Sequence, residues 1–262
     1  MVGGCSGSSS ALSTAAARPP TGAWKDRMPD GSPWPLMSIV TPSYNQARFV
    51  EETIRSVLLQ GYPNLEYIVI DGGSTDGSVD IIRRYEPWLA YWVSEPDHGQ
   101  SHAINKGWQS SHGEIVAWLN SDDTYSPGAV GKAAGFLQSH LETALVYSDY
   151  RIIDEYSRLT QVVKASEFAL RVEVRRNLIP QPTVFLRRRV LEAAGMLDET
   201  LHFAMDYDYW IRVGSQFNVQ RCQGVWACFR VCSGTKTVSQ AEAFCGESLR
   251  ILQRHLSNPA FA

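Results

Sequence analysis

The sequence predicts an α/β domain, a single mostly parallel sheet with helices on both faces, followed by a smaller mixed part. Three observations predict it. From Met37 onward, short apolar runs alternate with stretches of helical apolar spacing. Three of those runs break directly into polar, Gly-rich or Asp-rich segments. After residue 140 the alternation gives way to paired strand signals. Strands separated by helices imply right-handed crossovers, which lay the strands parallel in one sheet covered on both faces.

The elements follow in order. MSIVTP (residues 37–42) is a buried strand, and Asn45 is placed to cap the helix behind it. Phe49, Val50, Ile54, Val57 and Leu58 recur at helical spacing, and Gly61-Tyr62-Pro63 stops that helix. LEYIVI (65–70) is the second strand, DGGSTDG (71–77) a turn, and Val79, Ile81, Ile82 and Tyr85 mark the next helix. YWVSE is a third strand, SHAINKGWQSS a short helix, and EIVAWL (114–119) the fourth strand. Beyond it, ALVYSDYRIID and LTQVVK form two strands joined by a turn. NLIPQPTVFLRRRVLEAAGMLDETL is a strand and then a helix, and AMDYDYWIRVGSQF starts a helix rich in acids. NVQRCQGVWACFRV (218–231) reads as a second strand pair, and VSQAEAFCGESLRILQRHL as a closing helix. Residues 1–34, rich in Gly, Ser, Ala and Pro, are expected to be a disordered tail, and 35–258 the domain.

Composition narrows the classes. The chain has 262 residues, is 44% hydrophobic and carries a net charge of -3. That suffices for one full core and supplies no global field to draw nucleic acid. No run is apolar enough to span a membrane, and the N-terminus lacks the apolar centre of a secretory signal. The five cysteines show no C-x-x-C pair, so they are expected as thiols in a reducing compartment, the cytoplasm.

In parallel α/β sheets ligands sit beyond the carboxyl ends of the strands. That rule gathers TPSYN, DGGSTDG and NSDDT at one edge. Asp122 and Asp123 are adjacent carboxylates behind a buried strand, which suits a hard divalent cation completed by phosphate oxygens. A helix cap ahead of Pro127 explains one of them equally simply. Asp71 is a candidate acceptor for a base or ribose, or one residue of a plain Gly-rich turn. Gly72, Gly73 and Gly77 do not match G-x-G-x-x-G, because Ser74 occupies the second Gly position, which argues against a dinucleotide oxidoreductase. Asp206 and Asp208 open an amphipathic helix, where they either favour its dipole or place one acid in a cleft.

Taken together, SIVTPSYNQARFVEETIRSVLLQGYPNLEYIVIDGGSTDGS, SEPDHGQSHAINKG, GEIVAWLNSDDTYSPGA, QPTVFLRRRVLEAAGMLDE and DYDYWIRV, in that order, resemble the family-two inverting glycosyltransferases of GT-A fold, a Rossmann-like mostly parallel sheet flanked by helices. The resemblance runs from about Met37 to Val213. It implies that Pro42, Tyr44 and Asn45 lie near the nucleotide base and that Asp71 binds base or ribose. It makes Asp122 and Asp123 the metal site for Mn²⁺ or Mg²⁺, with Asn120 where many members carry a first acid. Asp206 matches the catalytic base, while Gln181 and Asp97 in the 97–100 turn match sugar or acceptor positions. A turn aspartate is an equal reading of Asp97.

The implied partners are a nucleotide-diphosphate sugar donor and a carbohydrate or lipid-linked acceptor, in polysaccharide or glycolipid assembly. FRVCSGTKT departs from a late family segment by placing Cys232 where a His often stands, and a thiol suits a hard cation poorly. Arg230, Lys236 and Thr237 remain phosphate contacts there. Arg175, Arg176, Arg187, Arg188 and Arg189 form clusters that are either solvated or face an anionic acceptor or the inner membrane face. Adjacent carboxylates at a strand end argue against a glycoside hydrolase, which needs opposed ones. The alternative kept open is a catalytically degenerate nucleotide-sugar-binding module.

Overall fold

β1 (Met37–Ser43) is buried along its whole length and lies between two parallel neighbours, β2 (Leu65–Asp71) and β4 (Ile115–Trp118). β3 (Tyr91–Ser94) pairs in parallel with the far edge of β2. The order 3-2-1-4 brings the carboxyl ends of all four strands to one edge. This computed structural model describes residues 27–232 and 241–256.

The continuous apolar runs are explained by two-sided burial. Val40, Ile68, Ile70, Val116 and Trp118 enter one core. Their neighbours Met37, Ile39, Tyr67, Val69, Ile115 and Ala117 enter the other. Successive side chains point to opposite faces, so each strand feeds both cores. α1 (Val50–Leu58) buries Val50, Ile54, Val57 and Leu58 on one stripe. α2 (Ser78–Tyr85) and α4 (Ala129–Ser139) cover the same face, while α3 (Gln100–Gln109) covers the opposite one.

The second half is built on β6 (Thr143–Ile153). β8 (Phe185–Arg187) runs antiparallel to both β4 and β6 and so joins the two halves of the sheet. β7 (Leu159–Val163) forms a hairpin with β6. β9 (Asn218–Arg230) pairs in parallel with β6, and the two-residue β5 (Thr124–Tyr125) pairs with β9. The helices of this half are α5 (Leu170–Glu173), α6 (Arg188–Ala194), α7 (Met205–Gly214) and α8 (Ala241–Leu256). The expected mixed α/β architecture is the observed one.

Two expectations need correction. Residues 218–231 do not form a strand pair: β9 is one strand of 13 residues. Gln223-Gly224 coincides with register shifts against β6, and Gly224 takes φ 104, a left-handed conformation that costs glycine little. Asn45 does not cap α1, whose N-cap position is Phe49. Ahead of residue 35, Met28 and Trp34 are buried, and Trp34 packs edge-on against Tyr62 at 5.4 Å. The rest of the expected tail, 1–26, lies outside the described residues. No helix among the described residues is long and apolar enough to cross a membrane.

Candidate active site

The site begins where β1 and β2 end. Pro42 is the next-to-last residue of β1, beyond the stretch paired with β4, so its missing N–H leaves no gap in that ladder. Tyr44 is exposed directly behind it. Asn45 has φ 52, a left-handed conformation that asparagine tolerates. Its N–H donates to Ser74 Oγ at 2.7 Å and its Oδ1 accepts from the Thr75 N–H at 2.9 Å. Asn45 therefore ties the loop after β1 to the loop after β2.

Asp71 organises that second loop from within. It is fully buried. Its Oδ2 accepts from the N–H groups of Gly73 (3.1 Å) and Ser74 (2.9 Å) and from Ser94 Oγ (2.7 Å). Its Oδ1 accepts from Ser74 Oγ at 2.6 Å. Oδ2 carries three of these four bonds and Oδ1 one, so Oδ1 keeps acceptor capacity. In this geometry Asp71 shapes the loop.

Asp97 closes over the same loop. A methyl group on Gly72 would meet Asp97 Oδ2 at 2.8 Å, so only glycine allows this approach. Asp97 Oδ1 also accepts from the Gly99 N–H at 2.8 Å. Gln100 then reaches across, its Nε2 donating to Asn120 Oδ1 at 2.7 Å. Gln181 sits under the same place in a 3-10 turn, donating from Nε2 to the Trp118 carbonyl at 2.9 Å. Its Oε1 is buried without a hydrogen-bond partner.

Asp122 and Asp123 have different surroundings. Asp122 is half-buried, whereas Asp123 is fully buried. Asp123 Oδ1 accepts from the Arg230 N–H at 2.9 Å, and its Oδ2 is enclosed without a hydrogen bond. Burial, and then the charge of Asp122, hold the Asp123 carboxyl well above the usual range. The Arg230 side chain binds the Asp122 carbonyl (2.8 Å), the Asp154 carbonyl (3.0 Å) and Glu52 (2.7 Å). Arg230 was expected as a phosphate contact, but it is buried and joins β9 to α1 and the β6–β7 turn.

Asp206 reaches this edge on α7. Trp210, one turn further on, stacks on Trp118 at 5.3 Å, which fixes α7 over the end of β4. His202, just before α7, lies over Gly99: a methyl there would be 3.6 Å from its Nδ1. Asp206 is half-buried, and burial pushes its carboxyl up to about 6, against the lowering effect of the Tyr207 N–H (2.8 Å) and the Asn177 amide (3.4 Å). Asp208 faces inward. Burial alone would raise its pKa, but His255 at 2.9 Å and Arg212 at 2.8 Å outweigh it and hold it low.

Two supporting carboxyls have no sequence signal. Glu173 is fully buried, accepts from the Leu178 N–H at 3.0 Å, and is pushed up to about 8 by burial. Glu247, on α8, accepts from the consecutive N–H groups of His202 (2.9 Å), Phe203 (2.6 Å) and Ala204 (2.6 Å). It thereby holds the residues that lead into Asp206.

Comparison with known proteins places this edge in context. The model of the family described as "Glycosyl transferase family 2" matches residues 38–194, more than half of the chain. The chain belongs to glycosyl transferase family 2. An uncharacterized glycosyltransferase of Rickettsia typhi is 31% identical over 186 residues, 68% of this chain and 58% of that protein. A putative teichuronic acid biosynthesis glycosyltransferase of Bacillus subtilis, TuaG, is 34% identical over 122 residues, 45% of this chain and 48% of its own length. The chain thus spans under two thirds of either relative. Among solved structures, S. aureus TarS in complex with UDP-GlcNAc superposes with TM-score 0.69 and 21% identity, over 85% of this chain and 67% of that one. The mannosyltransferase PcManGT of Pyrobaculum calidifontis, in complex with GDP-Man and Mn²⁺, gives 0.68 and 22%, over 87% and 67%. These likenesses identify the fold as GT-A.

The expected positions of this family 2 chain differ in their surroundings. The described residues hold no group of three or more His, Cys, Asp or Glu side chains that could bind a metal by themselves. Asp123 is enclosed, with its Oδ2 free of any hydrogen bond. Asp122 is the member of the pair that reaches the surface, and one or two carboxylates plus phosphate oxygens are a normal set for Mg²⁺ or Mn²⁺. Cys232 is half-buried just past β9, while Lys236 and Thr237 lie outside the described residues. Arg187, Arg188 and Arg189 bind main-chain carbonyls and are structural.

Proposed function

We propose that this family 2 chain transfers a sugar from a nucleotide-diphosphate sugar to an acceptor hydroxyl, with inversion, in polysaccharide or glycolipid assembly. The observation that carries this reading is Asp206: a half-buried carboxylate raised to about 6, standing at the edge where β1, β2 and β4 end. TarS with UDP-GlcNAc and PcManGT with GDP-Man share the fold, and the name of TuaG, a putative teichuronic acid biosynthesis glycosyltransferase, supports polysaccharide assembly.

The residues divide the work by position. Tyr44 offers an exposed ring beside the β1 end, where a base can stack, and Asn45 and Asp71 hold the adjoining loop in shape. Asp97 and Gln181 border the sugar side, the latter with an unpartnered buried oxygen. Asp206 accepts the proton of the acceptor hydroxyl as that oxygen bonds to the anomeric carbon, and the departing electron pair goes to the diphosphate. Asp122 would hold a divalent cation, which when bound neutralises charge on the diphosphate. Asp123 braces that turn through Arg230. Because the base acts ionised, kcat/KM should fall as pH drops through about 6.

The test is binding and turnover of UDP-, dTDP- and GDP-sugars with Mn²⁺ or Mg²⁺ and then with chelator. Cation-dependent binding and turnover of one donor, weakened by Asp122→Asn, supports the reading. Binding without turnover would make the chain a degenerate binding module, and no binding at all would sink the proposal.

A further inference from the structure

Most arginines with a visible partner are committed. Arg48, Arg84, Arg158, Arg221 and Arg230 pair with carboxylates, and Arg187 to Arg189 bind main-chain oxygens. Arg171, Arg175 and Arg176 differ in reaching nothing outside their own cluster among the described residues: the one guanidinium bond among them runs from Arg175 to the Arg171 carbonyl. All three are exposed, and none forms an ion pair with a carboxylate among the described residues. They fall within six residues in a chain whose net charge is -3.

Their backbone is well anchored. The Arg175 and Arg176 N–H groups both donate to the Val172 carbonyl, at 2.9 and 2.8 Å, and Arg175 Nη1 donates to the Arg171 carbonyl at 2.8 Å. Glu173 and Val174 point into the core, and the Val174 carbonyl accepts from Tyr207 Oη at 2.7 Å. The arginines are left on the outer face with Val172, which is 45% exposed. Glu173 is the nearest acid in sequence, but it is buried and held neutral near pH 7, so it does not cancel them.

The platform also has a defined place. The next residue, Asn177, donates its amide to Asp206. One peptide unit and two side chains separate the Arg176 guanidinium from that carboxylate, a reach of at most about 18 Å. What lies outward from a base that deprotonates the acceptor is the acceptor itself. Guanidinium forks match phosphate oxygens in pairs. A membrane surface fits less well, because α5 has four residues and Val172 alone is too little apolar area for interfacial anchoring.

We propose that Arg171, Arg175 and Arg176 form a subsite for an acceptor that carries phosphate close to the hydroxyl being glycosylated. The inference rests on the transferase reading and adds the chemical class of its acceptor.

The experiment measures binding of a fluorescent phosphorylated oligosaccharide and of its phosphatase-treated counterpart, together with a nucleotide-sugar titration on the same full chain. The protein is compared with Arg171→Ala/Arg175→Ala/Arg176→Ala and with Arg83→Ala/Arg84→Ala, a control on α2 for loss of surface charge. Circular dichroism checks that each variant is folded. The wild type and the control should prefer the phosphorylated probe by roughly tenfold or more, and the triple variant should lose that preference. Donor binding without any preference for phosphate overturns the subsite alone. A triple variant that loses donor affinity but keeps the probe preference assigns the arginines to the donor and overturns it too. Phosphatidylcholine vesicles with and without phosphatidylglycerol form a further arm, and binding to the anionic vesicles without binding of the probe replaces the acceptor by a membrane. No donor binding sinks the transferase reading and the subsite with it.

Discussion

Asp206 and Glu173 are both raised by burial, to about 6 and about 8, yet only Asp206 is exposed enough to meet a substrate. Glu173 makes a prediction about stability. Its folded pKa lies above its unfolded one, so the folded state holds a proton that the unfolded state releases. Its contribution is therefore complete below about 4.5 and is lost as pH rises toward about 8, a loss on the order of a few kcal/mol. Urea denaturation of Glu173→Gln should show a flatter stability profile across pH 5 to 8 than the wild type. An unchanged slope would mean that Glu173 is ionised in the fold. Asp206 was legible because it opens an amphipathic pattern inside a recognisable segment. Glu173 was not, because nothing in RVEVRRN marks which side turns inward. Asp71 shows a different gap: its position at the strand end was readable, but not the four hydrogen bonds that occupy it.

Among the elements, α8 supports the active edge without lining it. Glu247 binds three N–H groups ahead of α7, and His255 and Arg254 approach Asp208 inside α7. The two attachments flank Asp206. Glu247→Ala leaves three donors without their acceptor and should cost about 3 kcal/mol or more in thermal or urea unfolding. It should also lower kcat more than it raises the donor KM, because the disturbed element carries the base rather than the nucleotide. A loss confined to KM would contradict that placement. The closing helix was expected from its apolar spacing, but its partners lie more than forty residues away in sequence and leave no local signal. β9 was misread for a related reason. Gly224 interrupts the apolar pattern, and only pairing with β6 across register shifts keeps the strand continuous. β5, two residues long, is too short for any periodicity to reveal.

For the molecule as a whole, the parallel half was readable because each strand is buried on both faces and each crossover helix shows an apolar stripe. That alternation brought TPSYN, DGGSTDG and NSDDT to one edge. The second half depends on long-range pairing of β6 with three other strands, so its strands could be placed but not its sheet order. The structure brings Asn45, Asp71, Asp97, Gln181, Asp122 and Asp206 to that edge, with Asp123 and Arg230 buried behind it. The most direct measurement is the donor dissociation constant and the single-turnover transfer rate of Asp206→Asn beside the wild type. A base that acts only on the acceptor hydroxyl predicts an unchanged donor affinity and a transfer rate lower by roughly a hundredfold or more. Transfer at the wild-type rate by Asp206→Asn would contradict it and send the search for the base to another residue.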